Sequence, residues 1–303
     1  MHRKQNIYVG AGVMLLSTVC YLAMNSGVKI LAAQGYNTLE ILFYSMCFIM
    51  PIFFSLAKIQ GLQLRLNNTK VFILRVILGI TCLACLFLSL RTISVSHYTL
   101  ISAQQPILIG VMAKVFLGER LTLQGLFAAT LTVMAIYLII SPNLGGSHIN
   151  IVGVSLCLVG TLLAAGAHTC LRKTISTDSP ITLSMWYAII SSVIIIMASV
   201  YCSKFRYLPT ITYQSDTLWG VLLVVLGNAV AQLFQAQAYK YGEAFSLSMV
   251  TYMGLPLSIL IDFLIFAQPI HEIFYIASLM IVIAAYILFR DQKIASQPIL
   301  ETT

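Results

Sequence analysis

GVMLLSTVCYLAMNSGVKIL, residues Gly12–Leu31, is twenty residues long and carries a single charge, Lys29. A helix rises 1.5 Å per residue, so such a run covers the roughly 30 Å hydrocarbon core of a bilayer. Thr18, Tyr21, Asn25 and Lys29 recur at steps of three and four, which puts them on one face of that helix. A second run, GVSLCLVGTLLAAGAHTCLR from Gly153 to Arg172, repeats the opening and the length. Its stripe is Thr161, His168 and Arg172. Matching runs early in each half imply a membrane protein with an internal repeat.

Composition agrees. Of 303 residues, 59% are hydrophobic and 9% are charged, against about a quarter charged in a soluble domain. The net charge of +8 comes from scattered Lys and Arg with no dense block, so nucleic acid is not an expected partner. Membrane topology accounts for the scatter. The N-terminus, MHRKQNIYVGAGVMLL, resembles a signal peptide. No small-residue cleavage site follows it, and it reads as the first span, retained.

Ten spans are predicted, at 7–31, 39–58, 71–90, 97–116, 121–140, 150–171, 180–202, 217–239, 244–266 and 271–290. With the N-terminus in the cytoplasm, only Lys29, Arg91, Lys204 and Arg206 of the 17 Lys and Arg fall outside. Arg75 is counted on the inside. The bias puts both termini in the cytoplasm. It also leaves the sequon Asn67-Asn68-Thr69 cytoplasmic and inert.

The repeat continues beyond the first pair of spans. SLRTISVS from Ser89 matches AYKYGEAF from Ala238. Each is followed by a span with a central proline, Pro106 or Pro256. Five spans per unit means that the second copy enters the membrane upside down, as in many secondary transporters. The expected fold is all-α and integral to the membrane, with ten transmembrane helices as two inverted five-helix repeats. The units are 1–141 and 150–290, with a short cytoplasmic tail at 291–303.

SLRTISVSHYTLISAQQPILIGVMAKVFLGERLTLQGLFAATLTVMAIYLI, residues 89–139, resembles the characteristic block of EamA-type carriers in the drug/metabolite transporter superfamily. The features shared are the turn at Ser89–Thr92, Pro106 within a helix, and Leu117-Gly118-Glu119. The second half supplies Ala238–Tyr241 and Pro256, with Phe266-Ala267-Gln268-Pro269 in place of a second LGE. Within that superfamily the final third resembles bacterial S-adenosylmethionine uptake carriers. Those have an arginine after two aromatics in the second span; here Ser45 follows Phe43-Tyr44. The resemblance implies a secondary carrier without a cofactor, and not an enzyme.

The polar residues inside the spans are the candidate site. LGNAVAQLFQAQAYKYG, residues 226–242, places Asn228, Gln232, Gln235 and Tyr239 at steps of 4, 3 and 4. An unpartnered amide costs several kcal/mol in hydrocarbon, which a stripe facing a wet cavity avoids. Polar residues also tie membrane helices together, and that is the bland alternative. Tyr98, Ser102 and Gln105 share a face on the fourth span, and Ser248 and Tyr252 on the ninth. The expected substrate-binding set is therefore Tyr21, Asn25, Tyr98, Ser102, Gln105, His168, Asn228, Gln232, Gln235 and Tyr252, around one cavity that also meets the third span. Tyr21, Tyr98, Tyr252 and Trp186 are candidates to stack on a ring or cover a cation. Pro106 and Pro256 each free a backbone carbonyl at mid-membrane.

Lys29, Glu40 and Asp262 are the candidates for coupling or gating. Lys29 and Glu40 are placed to pair near the outer surface, as a structural ion pair or as a gate or substrate anchor, and Asp262 to pair with Arg91, to carry a proton or to anchor a cationic substrate. His168 titrates in the working range when solvated. Protons are thus the candidate coupling ion. Lys114 and Glu119 read as helix-end charges.

Other chemistries lack their motifs. The sequence has no Gly-rich phosphate loop, no metal cluster and no nucleophile elbow, so neither metal nor cofactor is expected. Cys82 and Cys85 form a CxxC among seven cysteines that all lie in apolar runs. A membrane thiol oxidoreductase is therefore one rival reading, and a non-transporting receptor another. The favoured reading is a carrier of a small polar metabolite, an amino acid or an S-adenosylmethionine-like zwitterion, working by alternating access. It would sit in the bacterial inner membrane, in contact with substrate and lipid, as monomer or homodimer.

Overall fold

The structure, a computed structural model, describes residues 7–62, 65–118, 150–201, 215–242, 244–267 and 272–295, with a few isolated positions between 127 and 138. Helices follow one another as α1 (Ile7–Ala33), α2 (Thr38–Cys47), α3 (Ile49–Ile59), α4 (Thr69–Leu90), α5 (Val95–Ser102), α6 (Gln105–Leu117), α7 (Ile151–Thr174), α8 (Pro180–Tyr201), α9 (Ser215–Ala238), α10 (Ala244–Ser248), a 3₁₀ turn at Met249–Met253, α11 (Gly254–Leu264) and α12 (Glu272–Ala295). Among the described residues there is no strand.

Seven helical segments are long and apolar enough to cross a bilayer: α1, α2 with α3, α4, α5 with α6, α7, α8 and α9. They coincide with the expected spans one to four and six to eight. The ninth and tenth expected spans contain shorter apolar helices, Met249–Leu264 and Tyr275–Ala284. The fifth, 121–140, lies outside the described residues apart from isolated helical positions. Large apolar side chains such as Val115, Phe116, Met197, Trp219 and Leu264 are exposed on the outside of the bundle. Water would penalise that surface, whereas lipid solvates it. The chain is a multi-pass membrane protein.

Three of the expected spans are interrupted. The second breaks at Phe48, the fourth at Ala103–Gln104, and the ninth passes through the 3₁₀ turn. Pro106 was expected in the middle of a continuous helix. It stands instead in the first turn of α6, and Pro256 is the third residue of α11. A first turn has no intrahelical partner for its N–H groups, so proline begins a helix there without losing a hydrogen bond. Gly118 explains the glycine of the LGE motif: it closes α6 at φ +72°, a left-handed cap that favours glycine.

Helices α1 and α9 pack along one another, as do α4 and α7, while α8 lies against α2 and α3. Close approach in the first pair depends on Gly227, where an added Cβ would lie 2.9 Å from both Cys20 O and Met24 N. Small residues let membrane helices come this near. Each pair carries a serine bond across its interface: Ser17 Oγ donates to Ala231 O at 2.8 Å, and Ser89 Oγ to Gly153 O at 2.9 Å. At one end of the bundle, the sequon residue Asn67 donates its side-chain amide to Thr177 O and to Asp178 Oδ1.

Candidate functional site

A cavity of about 180 Å³ lies within the bundle, lined from α1, α4 to α9, the 3₁₀ turn and α11. All ten candidate binding residues line it: Tyr21, Asn25, Tyr98, Ser102, Gln105, His168, Asn228, Gln232, Gln235 and Tyr252. The third span takes part through Arg75, Gly79 and Cys82. Trp186 does not. It packs against the apolar core, and Tyr187, its neighbour on α8, lines the cavity instead.

The α9 amides form the floor of a hydrogen-bond network. Asn228 Nδ2 donates to Ser45 Oγ at 2.6 Å, and Gln232 Nε2 donates to Asn228 Oδ1 at 2.7 Å. Tyr21 OH donates to Gln235 Oε1 at 3.1 Å, and Gln235 Nε2 lies 3.2 Å from His168 Nδ1. Gln105 Nε2 is 3.3 Å from the same nitrogen, and Tyr239 OH 3.1 Å from it. Asn228 thus ties α9 to α2, and Gln235 ties it to α1 and α7. Helix glue and cavity lining, opposed as alternatives on sequence alone, are performed by the same side chains.

Three buried polar atoms of the lining have no hydrogen-bond partner among the described residues: Asn25 Oδ1, Arg75 Nη1 and Gln232 Oε1. A buried group left in this state costs about 1–3 kcal/mol, and such orphans gather where a ligand or water belongs.

Arg75 overturns a sequence reading. Counted among the cytoplasmic charges, it is only 5% exposed and lines the cavity. It is the seventh residue of α4, about two turns inside the helix, and its guanidinium lies over the rings of Phe72 and Tyr187. Its rank near a span boundary in the chain concealed this, and its spacing from Gly79 and Cys82 on one face of α4 was the signal available.

The charged candidates also pair differently. Lys29 Nζ lies 3.9 Å from Asp262 Oδ1 and 5.0 Å from the centroid of the Phe266 ring. Lys29 therefore joins Asp262, and the expected pair with Glu40 does not form. Glu40 closes a capping box, its Oε2 accepting from Asn37 N at 2.7 Å. The expected Asp262–Arg91 pair is absent too, since Arg91 Nη1 donates to Tyr36 O. Asp262 instead receives the backbone N–H groups of Val95 and Ser96 at 3.3 and 2.6 Å, at the start of α5. A carboxylate is stable there because the helix N-terminus is its complement.

An all-helical, lipid-facing bundle built around a cavity lined by polar side chains set among apolar ones is the architecture of a membrane transporter. The chain belongs to the EamA-like transporter family, whose model matches residues 8–141 and 151–290. It is 21% identical over 286 residues to the pseudopaline exporter CntI of Pseudomonas aeruginosa, covering 93% of this chain and 97% of that one. It is 21% identical over 283 residues to a riboflavin transporter of Brucella anthropi, covering 92% and 98%. An uncharacterized transporter of Bacillus subtilis, YvbV, is 23% identical over 256 residues, covering 82% and 80%. A solved crystal structure shares the fold at a TM-score of 0.72 and 13% identity, covering 96% of this chain and 98% of that one. These relatives extend the resemblance read from the sequence without singling out S-adenosylmethionine uptake.

Proposed function

We propose that this transporter is a secondary carrier of a small polar metabolite and works by alternating access around the cavity between its two halves. The observation that carries this is the cavity itself: ten polar residues from five spans converge on it, and three of its buried polar atoms lack partners. The helices forming the walls pair across the halves, α1 with α9 and α4 with α7, as expected if two inverted five-helix repeats, within 1–141 and 150–290, embrace a shared site. Breaks at the start of α6 and before α11 supply hinges in corresponding places. Both termini lie in the cytoplasm on this reading, and relatives from bacteria agree with an inner-membrane setting.

The Lys29–Asp262 pair, with the α5 N-terminus beneath the carboxylate, acts as the outer gate. Its opening would expose a proton-accepting group, which makes protons the coupling ion of this reading. Relatives named for pseudopaline and riboflavin support a small-metabolite substrate. An amino acid or an S-adenosylmethionine-like zwitterion suits the mixed amide and tyrosine lining.

Counterflow into proteoliposomes loaded with unlabelled metabolite tests the proposal. The wild type should exchange at least one labelled amino acid or S-adenosylmethionine, and Gln232→Ala/Gln235→Ala should lose that exchange. Folded wild-type protein that exchanges no metabolite would sink the carrier reading.

A further inference from the structure

Among the described residues lining the cavity, Arg75 is the one cationic side chain and no Asp or Glu accompanies it. Arg75 forms no ion pair there either. A guanidinium in a membrane interior is expensive unless something compensates it. Partial compensation comes from two rings: Cζ lies 5.1 Å from the centroid of Tyr187 and 5.9 Å from that of Phe72. The Tyr187 ring reaches this position because α4 presents Gly79 to it, where an added Cβ would lie 2.7 Å from the Tyr187 hydroxyl. Rings can hold the faces of a guanidinium, but its N–H groups point along its edges. Nη1 is buried and donates to nothing among the described residues.

Two other orphans have the opposite character. Asn25 Oδ1 and Gln232 Oε1 are acceptors without donors. Gln232 is held in this orientation because its amide nitrogen is already bonded to Asn228 Oδ1, in the chain that ends at Ser45. Asn25 and Gln232 belong to the packed pair α1 and α9, and Arg75 to the pair α4 and α7. The cavity thus has a cationic donor pole on one pair and an acceptor pole on the other.

We propose that Arg75 is the anchor for a carboxylate of the transported metabolite, and that Asn25 and Gln232 receive an N–H donor of the same molecule. The guanidinium edge matches a carboxylate through two parallel hydrogen bonds. A substrate bridging the two poles would couple the two helix pairs as the cavity closes. This rests on the carrier reading above and narrows it to aminocarboxylates bound through a named residue.

Two readouts on the full chain separate the inference from the carrier reading: thermal stabilisation in detergent, and counterflow. The probes are the standard L-amino acids, S-adenosylmethionine, the methyl ester of every compound that scores, and riboflavin as a ring compound without a carboxylate. The expected result is that a free acid stabilises and exchanges while its ester does neither. Arg75→Gln should raise the half-saturating concentration roughly 10- to 100-fold, the loss of a charge-assisted hydrogen-bond pair. Arg75→Lys should recover part of it. An ester that binds as well as its acid overturns the anchor. So does folded Arg75→Gln that binds normally, or riboflavin as the sole ligand. Riboflavin exchange alone keeps the carrier and removes the anchor. Stabilisation by an acid without counterflow keeps the anchor and removes the carrier. Silence of every probe in both readouts overturns the aminocarboxylate assignment. Should Arg75→Gln fail to fold, the acid-against-ester comparison in the wild type still decides.

Discussion

Lys29 Nζ stands 3.9 Å from Asp262 Oδ1, joining α1 to α11 across 233 positions of the chain. The two partners are unequal. Lys29 has a ring beside it and retains 15% side-chain exposure, whereas Asp262 is at 3% and holds two backbone N–H groups of α5.

That inequality predicts unequal mutants. Asp262→Ala strips the acceptor from Val95 and Ser96 and should destabilise the protein by about 1–3 kcal/mol. Lys29→Met leaves the cap in place and should cost less. Thermal unfolding in detergent orders the two; equal losses would mean that the ion pair, not the cap, dominates. Both variants should disturb the gating of counterflow.

Ser45→Ala removes the far end of the Gln232–Asn228–Ser45 chain. Asn228 is fully buried, so its Nδ2 is left without an acceptor, at a cost of about 1–3 kcal/mol. Gln232 is then free to turn. Counterflow should weaken although Ser45 does not line the cavity. Unchanged affinity in the folded variant would show that Gln232 needs no such orientation.

Gly227→Leu forces a side chain into the backbone of α1 and should destabilise by about 1–3 kcal/mol or more. Gly12→Ala on α1 is the control, because its Cβ would meet nothing within 4 Å. That change should be neutral or mildly stabilising, since alanine favours the helix by about 1 kcal/mol. Melting temperatures of the pair check the α1–α9 contact directly.

Cys85→Ala should leave counterflow largely intact. Neither thiol is in a disulfide, and Cys85, unlike Cys82, does not line the cavity. A CxxC dithiol needs both cysteines, so abolished function in the folded variant would favour the thiol oxidoreductase reading over the carrier.

The sequence was informative wherever the physics is local. Hydropathy over twenty residues located α1, α4, α7, α8 and α9, because lipid demands a continuous apolar helix whatever its neighbours are. The ten candidate side chains converge on one cavity because a helical stripe is a property of spacing alone. Helix breaks at Ala103–Gln104 and before Gly254 were less legible. Proline marks a disruption, but whether the helix bends or restarts depends on what satisfies the freed carbonyls.

Partner choice was decided by tertiary structure. Lys29, Glu40, Asp262 and Arg91 were recognisable as charges near the ends of spans, yet no spacing rule tells Lys29 to reach Asp262 on a helix far along the chain. Arg75 is the clearest instance. Its sequence neighbours made it look like an interfacial charge, and only the packing of α4 against α7 and α8 turned it into a cavity. Local pattern fixes which face of each helix is polar. Which faces meet follows from the packing of the whole bundle, an energy summed over residues distant in sequence.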